Sequence, residues 1–147
     1  MKVQNNSEYC LGCGLCQVYC AAAHDGYNGN VIKAFKKGTP QARAGLIKKN
    51  HESWINTCRH CQDAPCINAC ITGALQKDEK GTVFIDSQRC VGCFTCVMVC
   101  PFGHIQPSRD SSRAIKCDLC RGLSGTPACV AFCPNGALRL AEEVDRP

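Results

Sequence analysis

The sequence predicts an α+β fold of short helices and short strands, held together by metal more than by a large hydrophobic core. Three observations carry that expectation. The 147 residues include sixteen cysteines but one tryptophan, and aromatic residues make up 6% of the chain, so there is little bulk to fill a core. The cysteines fall into four groups of four: Cys10, Cys13, Cys16, Cys20; Cys58, Cys61, Cys66, Cys70; Cys90, Cys93, Cys96, Cys100; and Cys117, Cys120, Cys129, Cys133. Between the groups, brief apolar runs alternate with turn residues, as short strands do. Small chains with a poor core rely on disulfides or metal. The length fits one domain.

Dense cysteine in a short secreted chain suggests a disulfide scaffold. The opening residues, Met1-Lys-Val-Gln-Asn-Asn-Ser-Glu-Tyr9, carry no apolar stretch of secretory-signal length. No run of apolar residues reaches transmembrane length. The expected compartment is therefore the cytoplasm, where thiols stay reduced and clustered cysteine means metal.

The first group, Cys10-Leu-Gly-Cys13-Gly-Leu-Cys16-Gln-Val-Tyr-Cys20, has the spacing C-x2-C-x2-C-x3-C. Gly12 and Gly14 allow the backbone to fold tightly and point amides at sulfur. A short helix is expected from Gln17 to His24. Residues 21–53 read as an inserted β-hairpin, with strands Val31–Phe35 and Ala44–Lys48 about a Gly38-Thr-Pro40 turn. Six basic residues, Lys33, Lys36, Lys37, Arg43, Lys48 and Lys49, occur there without an acidic one between them. One reading is a solvated face that balances negative charge elsewhere. The other is a docking face for an acidic redox partner.

The second group widens its middle gap to four residues and stiffens it with Pro65. His60 lies between two cysteines and reads as a loop residue or hydrogen-bond donor. Arg59 is a candidate for favouring a more negative, reduced centre. Short strands are expected around Leu75 and over Thr82–Asp86, separated by an Asp78–Gly81 turn. The third group, Cys90-Val-Gly-Cys93-Phe-Thr-Cys96-Val-Met-Val-Cys100-Pro101, is the bacterial C-x2-C-x2-C-x3-C-P run. Ala114–Lys116 reads as a strand feeding group four, whose x8 gap holds Gly122, Gly125 and Pro127.

The chain also repeats after each fourth cysteine. Cys70 is followed by Ile-Thr-Gly-Ala-Leu, Cys100 by Pro-Phe-Gly-His-Ile and Cys133 by Pro-Asn-Gly-Ala-Leu. A glycine three positions on and Leu or Ile five on describe a turn and a returning strand, repeated as internal repeats are. Group one breaks the rule with Ala23 and Asp25.

Three cysteines crowded into seven residues suit a cubane, which takes one thiolate at each of four iron corners. Zinc modules separate two C-x2-C pairs by a dozen residues or more. In two-cluster proteins the fourth cysteine ligates the neighbouring cluster. Four [4Fe–4S] clusters of about −2 each would turn the formal net charge of +5 into about −3 when oxidised and about −7 when reduced. The basic excess is thus compensation for cluster charge, and no nucleic-acid motif accompanies it. No catalytic triad, phosphate-binding loop or dinucleotide fingerprint appears, so no catalytic residue is expected.

With its second group spaced C-x2-C-x4-C-x3-C and its fourth widened, the chain resembles the four-cluster ferredoxin-type electron-transfer subunits from Cys10 to Leu138. These include small subunits of dimethyl-sulfoxide-reductase-type enzymes, formate dehydrogenases and hydrogenases. Cys10-Leu-Gly-Cys-Gly-Leu-Cys16, Val31-Ile-Lys-Ala-Phe35, Cys58-Arg-His-Cys61 and Cys66-Ile-Asn-Ala-Cys-Ile-Thr-Gly-Ala74 look most like the form associated with CO dehydrogenase. The resemblance implies crossed ligand sets. Cys10, Cys13 and Cys16 would share a cluster with Cys133, and Cys117, Cys120 and Cys129 with Cys20. Cys58, Cys61 and Cys66 would share one with Cys100, and Cys90, Cys93 and Cys96 with Cys70.

That exchange implies two bis-[4Fe–4S] ferredoxin-like halves, one from residues 1–20 plus 114–147 and one from 54–113, with the hairpin 21–53 inserted. It also implies a non-catalytic subunit relaying single electrons. Its partners would be a catalytic redox subunit, CO dehydrogenase before formate dehydrogenase, hydrogenase or aldehyde oxidoreductase, and a second protein such as a flavin-dependent NAD(P)H oxidoreductase. A free-standing polyferredoxin carrier and a zinc-binding scaffold are the alternatives.

Overall fold

The structure, a computed structural model, describes residues 1–27, 29–123 and 125–141. Ser124, in the x8 gap, and the end of the first half beyond Ala141 lie outside the described residues. Along the chain run β1 (Lys2–Asn5), a 3-10 turn (Ser7–Tyr9), α1 (Leu15–His24), α2 (Val31–Lys37), β2 (Gly45–Lys49), β3 (Glu52–Asn56), α3 (Pro65–Asn68), β4 (Leu75–Lys77), β5 (Val83–Ile85), α4 (Thr95–Val99), β6 (Ile105–Pro107), β7 (Ala114–Lys116), α5 (Ala128–Ala131) and β8 (Leu138–Ala141). The mixture of short helices and strands agrees with the expected α+β class.

The strands pair two by two, all antiparallel: β1 with β8, β2 with β3, β4 with β5 and β6 with β7. The β1–β8 pair ties the start of the chain to residues 138–141, with Val3 opposite Leu140 and Asn5 opposite Leu138. β7, assigned from sequence to the first half, pairs instead with β6, with Pro107 opposite Ala114 and Ile105 opposite Lys116.

The interval 21–53 differs from its expectation. Val31–Phe35 is helical, not a strand. Asn30 caps α2 by accepting a hydrogen bond from the Lys33 amide at 3.0 Å, the usual work of an N-cap asparagine. Its buried contact is Ala34, while Ile32 and Phe35 stay exposed, so the β-branched run that suggested a strand does not face a core. α2 lies against α1, where Ala22 is fully buried like Ala34. The hairpin comes later: β2 pairs with β3, and Lys49 stands opposite Glu52. Asn50, at φ 54, supplies the left-handed residue that a two-residue turn needs.

Two apolar clusters result. One gathers Ala64, Cys66, Leu75, Val83, Cys96, Ile105 and Ala114. The other gathers Cys16, Cys20, Ala44, Ile55, Cys129 and Leu138. Cysteines sit in both, so packing and ligation share the same residues.

The loop between β6 and β7 is pressed against group three. Gly92 has φ +70, and a Cβ there would lie 1.7 Å from the Ser112 carbonyl oxygen. Gly92→Ala is therefore expected to destabilise the loaded protein by ~2 kcal/mol or more, because backbone must move. Gly14→Ala meets nothing within 4 Å and should show only the smaller cost of a left-handed alanine, ~1 kcal/mol. Thermal melts of the two variants check the difference; equal melting temperatures would contradict it.

Candidate metal centres

The four groups share one local geometry. The residue before each second cysteine is left-handed: Gly12 at φ 63, His60 at 49, Gly92 at 70 and Leu119 at 58. Two of these are glycines, and histidine is among the residues that tolerate this region. Each third cysteine, Cys16, Cys66, Cys96 and Cys129, lies on a helix and is buried. After the fourth cysteine the repeat seen in sequence becomes a repeated turn. The amides of Gly73, Gly103 and Gly136 each donate to the carbonyl of Cys70, Cys100 and Cys133 at 3.2 Å, with φ between 60 and 63. β4, β6 and β8 follow. In group one, α1 runs on through Cys20 to His24 instead.

These turns bring cysteines from different groups together. Cys10, Cys13, Cys16 and Cys133 line one cavity. Cys70 lines a second with Cys90, Cys93 and Cys96. Cys100 lines a third with Cys58, Cys61 and Cys66. The remaining cysteines, Cys20, Cys117, Cys120 and Cys129, are all buried, and burial first, then the neighbouring Cys117, Cys20 and Cys120 thiols, push the Cys129 thiol up. Among the described residues, no three His, Cys, Asp or Glu side chains converge closely enough to hold a single ion. Thiols arranged around a space, instead of meeting at a point, are the donor set of a cage.

Residues 51–143 match the 4Fe-4S dicluster domain family and residues 7–23 match a 4Fe-4S binding domain. The thiosulfate reductase electron transfer subunit PhsB of Salmonella typhi is 36% identical over 144 residues, covering 92% of this chain and 72% of that protein. The chain belongs to the 4Fe-4S ferredoxin-type electron-transfer family. It is also 35% identical to the putative oxidoreductase AegA of Escherichia coli K12 over 97% of its own length, but spans only 22% of that longer protein. The active-site complex BamBC of benzoyl coenzyme A reductase aligns with 99% of the chain and 80% of its own at a TM-score of 0.53 and 23% identity, a likeness of fold. The sixteen cysteines and the two matched domains fit four [4Fe–4S] clusters.

The surroundings suit a metal cluster better than reactive thiols. Burial, the largest cause in each case, raises Cys16 and Cys66, pushes Cys96 up to about 11 and Cys117 up to about 12. A buried thiol gives up its proton when a metal replaces it. Amide donors reach several sulfurs: Arg43 N to Cys20 Sγ, His60 N to Cys58 Sγ and His104 N to Cys100 Sγ, each at 3.4 Å. Such bonds favour the negative, reduced form of a cluster. Cys13 and Cys93 are exposed.

Several residues that sequence reasoning passed over stand beside these sites. Asp118 accepts from Arg43 Nη1 at 2.6 Å and pairs with His24 Nε2 at 3.1 Å, while its Oδ1 accepts from the Cys120 amide. Burial alone would lower His24. The Asp118 carboxylate, with Cys120 and Cys20, outweighs it and holds the imidazole up at about 12. This network joins α1, the 38–44 segment and group four. Its sequence signal was faint: a histidine one helical turn after Cys20.

The six basic residues singled out earlier do not share a hairpin. Lys33, Lys36 and Lys37 lie on α2, Lys48 and Lys49 on β2, and Arg43 is engaged by Asp118. Lys48 stands beside the first group, its Cε 3.2 Å from where a Gly12 Cβ would stand. His60 is buried, and its Nδ1 accepts the Val83 amide at 3.0 Å. Burial and then the Lys116 cation push it down to about 3, so it is neutral, in keeping with a loop role.

Proposed function

We propose that the chain is a non-catalytic subunit that relays single electrons between a catalytic redox subunit and a second redox protein. The observation that carries this reading is the set of three cavities, each lined by three cysteines of one group and one of another. Crossed sets of this kind bind neighbouring sites into one rigid series, which a relay needs. On this reading Cys10, Cys13, Cys16 and Cys133 hold the first cluster and Cys117, Cys120, Cys129 and Cys20 the second. Cys58, Cys61, Cys66 and Cys100 hold the third, and Cys90, Cys93, Cys96 and Cys70 the fourth. When bound, each cluster supplies one-electron chemistry. The protein holds the clusters, limits water around them and sets their electrostatics.

Exposed Cys13 and Cys93 make the first and fourth sites the two ports. Lys48 stands beside the first, with Lys49 following it on β2, and these charges suit an acidic, salt-sensitive partner. Ile71, Val91 and Met98, all exposed, belong to the segments around the fourth. Obligate interfaces are the more apolar class, so this port is assigned to the catalytic subunit. CO dehydrogenase is the favoured catalytic partner, followed by formate dehydrogenase, hydrogenase and aldehyde oxidoreductase. A flavin-dependent NAD(P)H oxidoreductase is proposed at the basic port, and the cytoplasm as the compartment. The relative's name, an electron transfer subunit, supports a subunit over a free carrier. Among the described residues no helix is long and apolar enough to cross a membrane.

Anaerobic purification from the native host, followed by native mass spectrometry and iron and sulfide analysis, tests the reading. The expected result is a complex with a catalytic oxidoreductase and about sixteen irons per chain, four per cluster. Electron delivery through the basic port should slow as salt rises. A chain that runs alone would favour the free carrier, and zinc in place of iron would sink both.

A further inference from the structure

The cysteine-lined cavities differ in what else surrounds them. Among the described residues, no lysine, arginine or histidine lines the cavity of Cys10, Cys13, Cys16 and Cys133, or that of Cys70, Cys90, Cys93 and Cys96. The cavity of Cys58, Cys61, Cys66 and Cys100 is lined by Arg59, His104 and Lys116. Lys116 is the unusual one. It is 2% exposed and heads the largest fully buried side chains. Its Nζ donates to the Val83 carbonyl, and to the Cys117 carbonyl at 2.7 Å.

Lys116 therefore belongs to two sites. Its side chain borders one cavity, and its head is tied to the carbonyl of a cysteine in the Cys117, Cys120, Cys129 and Cys20 set. Through that one side chain the two sets are neighbours. On their far sides, Cys16, Cys20 and Cys129 share one apolar cluster, and Cys66 and Cys96 share the other. The series runs from the Cys10 set through the Cys117 and Cys58 sets to the Cys90 set, with Lys116 at its centre.

A lysine ammonium is costly to bury unless anions compensate it. Two carbonyls offer only dipoles. Two anionic clusters, one on each side, offer the missing charge, and each would gain a negative charge on reduction. We propose that Lys116 is a shared fixed cation that makes the two inner clusters easier to reduce than the two outer ones, so that the middle of the chain stores electrons between partner encounters. The proposal rests on the four-cluster reading above. The electrons come from the redox partner, one for each cluster reduced.

The test is an EPR-monitored potentiometric titration of the loaded full-length protein, with dithionite as reductant. In Lys116→Met, the reduction equilibrium constants of two of the four clusters should fall at least tenfold, about 59 mV for a one-electron couple, with the other two changed less than twofold. Lys116→Arg keeps the charge and should restore both to within about threefold of wild type, on the same conversion. No shift, or an equal shift of all four, overturns the proposal.

Should Lys116→Met fail to load, Cys13→Ser and Cys93→Ser carry the test, since they alter the two outer sites. The first signal to appear on reduction should be unmoved in both; a first signal moved by either one overturns the proposal. Iron counting on the same samples separates the two kinds of failure. About sixteen irons with unmoved potentials removes the role of Lys116 alone, whereas a far lower count removes the four-cluster reading and this proposal with it.

Discussion

Stripping the iron under anaerobic conditions is expected to abolish the cooperative fold. Far-UV circular dichroism of the stripped protein should change gradually on heating, while the loaded protein melts sigmoidally. The reason lies in what the two apolar clusters contain. Apart from cysteine and alanine, their buried members are Leu75, Val83 and Ile105 in one and Ile55 and Leu138 in the other. Five aliphatic side chains cannot order so many separate elements against the loss of conformational entropy. Nor do the sheets help alone, since each is two strands of three to five residues, and an isolated hairpin is marginal in water.

In the stripped state Lys116 would also be buried without the anions that compensate it. Metal binding then supplies the folding free energy, as it does in small metal-dependent domains. A sigmoidal melt of fully stripped protein would show that these small cores suffice without it.

What the sequence made legible was local. The cysteines of each group stand close together in the chain, so spacing alone marked out the four groups and the repeated Gly73, Gly103 and Gly136 turns. Strand partners are not local. Nothing within Val31–Phe35 distinguishes a helix from a strand; Asn30 decides it by capping the Lys33 amide. The β2–β3 turn was missed because it uses Asn50 with no glycine or proline, while Gly38-Thr-Pro40 looked like a better turn.

Lys116 was missed for a related reason. In the run Ala114-Ile-Lys116, alternation places Ala114 and Lys116 on one face, and a lysine on a strand normally marks the solvent side. Here that face is the buried one. The carbonyls its ammonium bonds, those of Val83 and Cys117, include one from another hairpin. Arg43 was similarly read as a free surface charge because its partner Asp118 lies 75 residues away.

Replacing Cys20 with serine is expected to alter the cluster held by Cys117, Cys120 and Cys129, and to leave that of Cys10, Cys13 and Cys16 unchanged. Cys16 and Cys20 are four residues apart on α1, so they lie on one face but about 6 Å apart along the axis. One turn is enough to direct them to different sites. Cys16 lines the cavity that holds Cys133. Cys20 lies toward group four: Tyr19 beside it stacks on Phe132 with ring centroids 4.0 Å apart, and α1 packs against α5, which carries Cys129. From Cys20, the His24 imidazole reaches Asp118 next to Cys117. EPR of the reduced Cys20→Ser protein should show one of four signals shifted or lost, with iron falling toward about twelve per chain if that cluster is lost. Cys133→Ser should do the reverse, changing the Cys10 set alone. If each variant instead altered the cluster of its own group, the fourth cysteines would close their own sites. The relay would then be four independent loops, with nothing covalent fixing the spacing between neighbouring clusters.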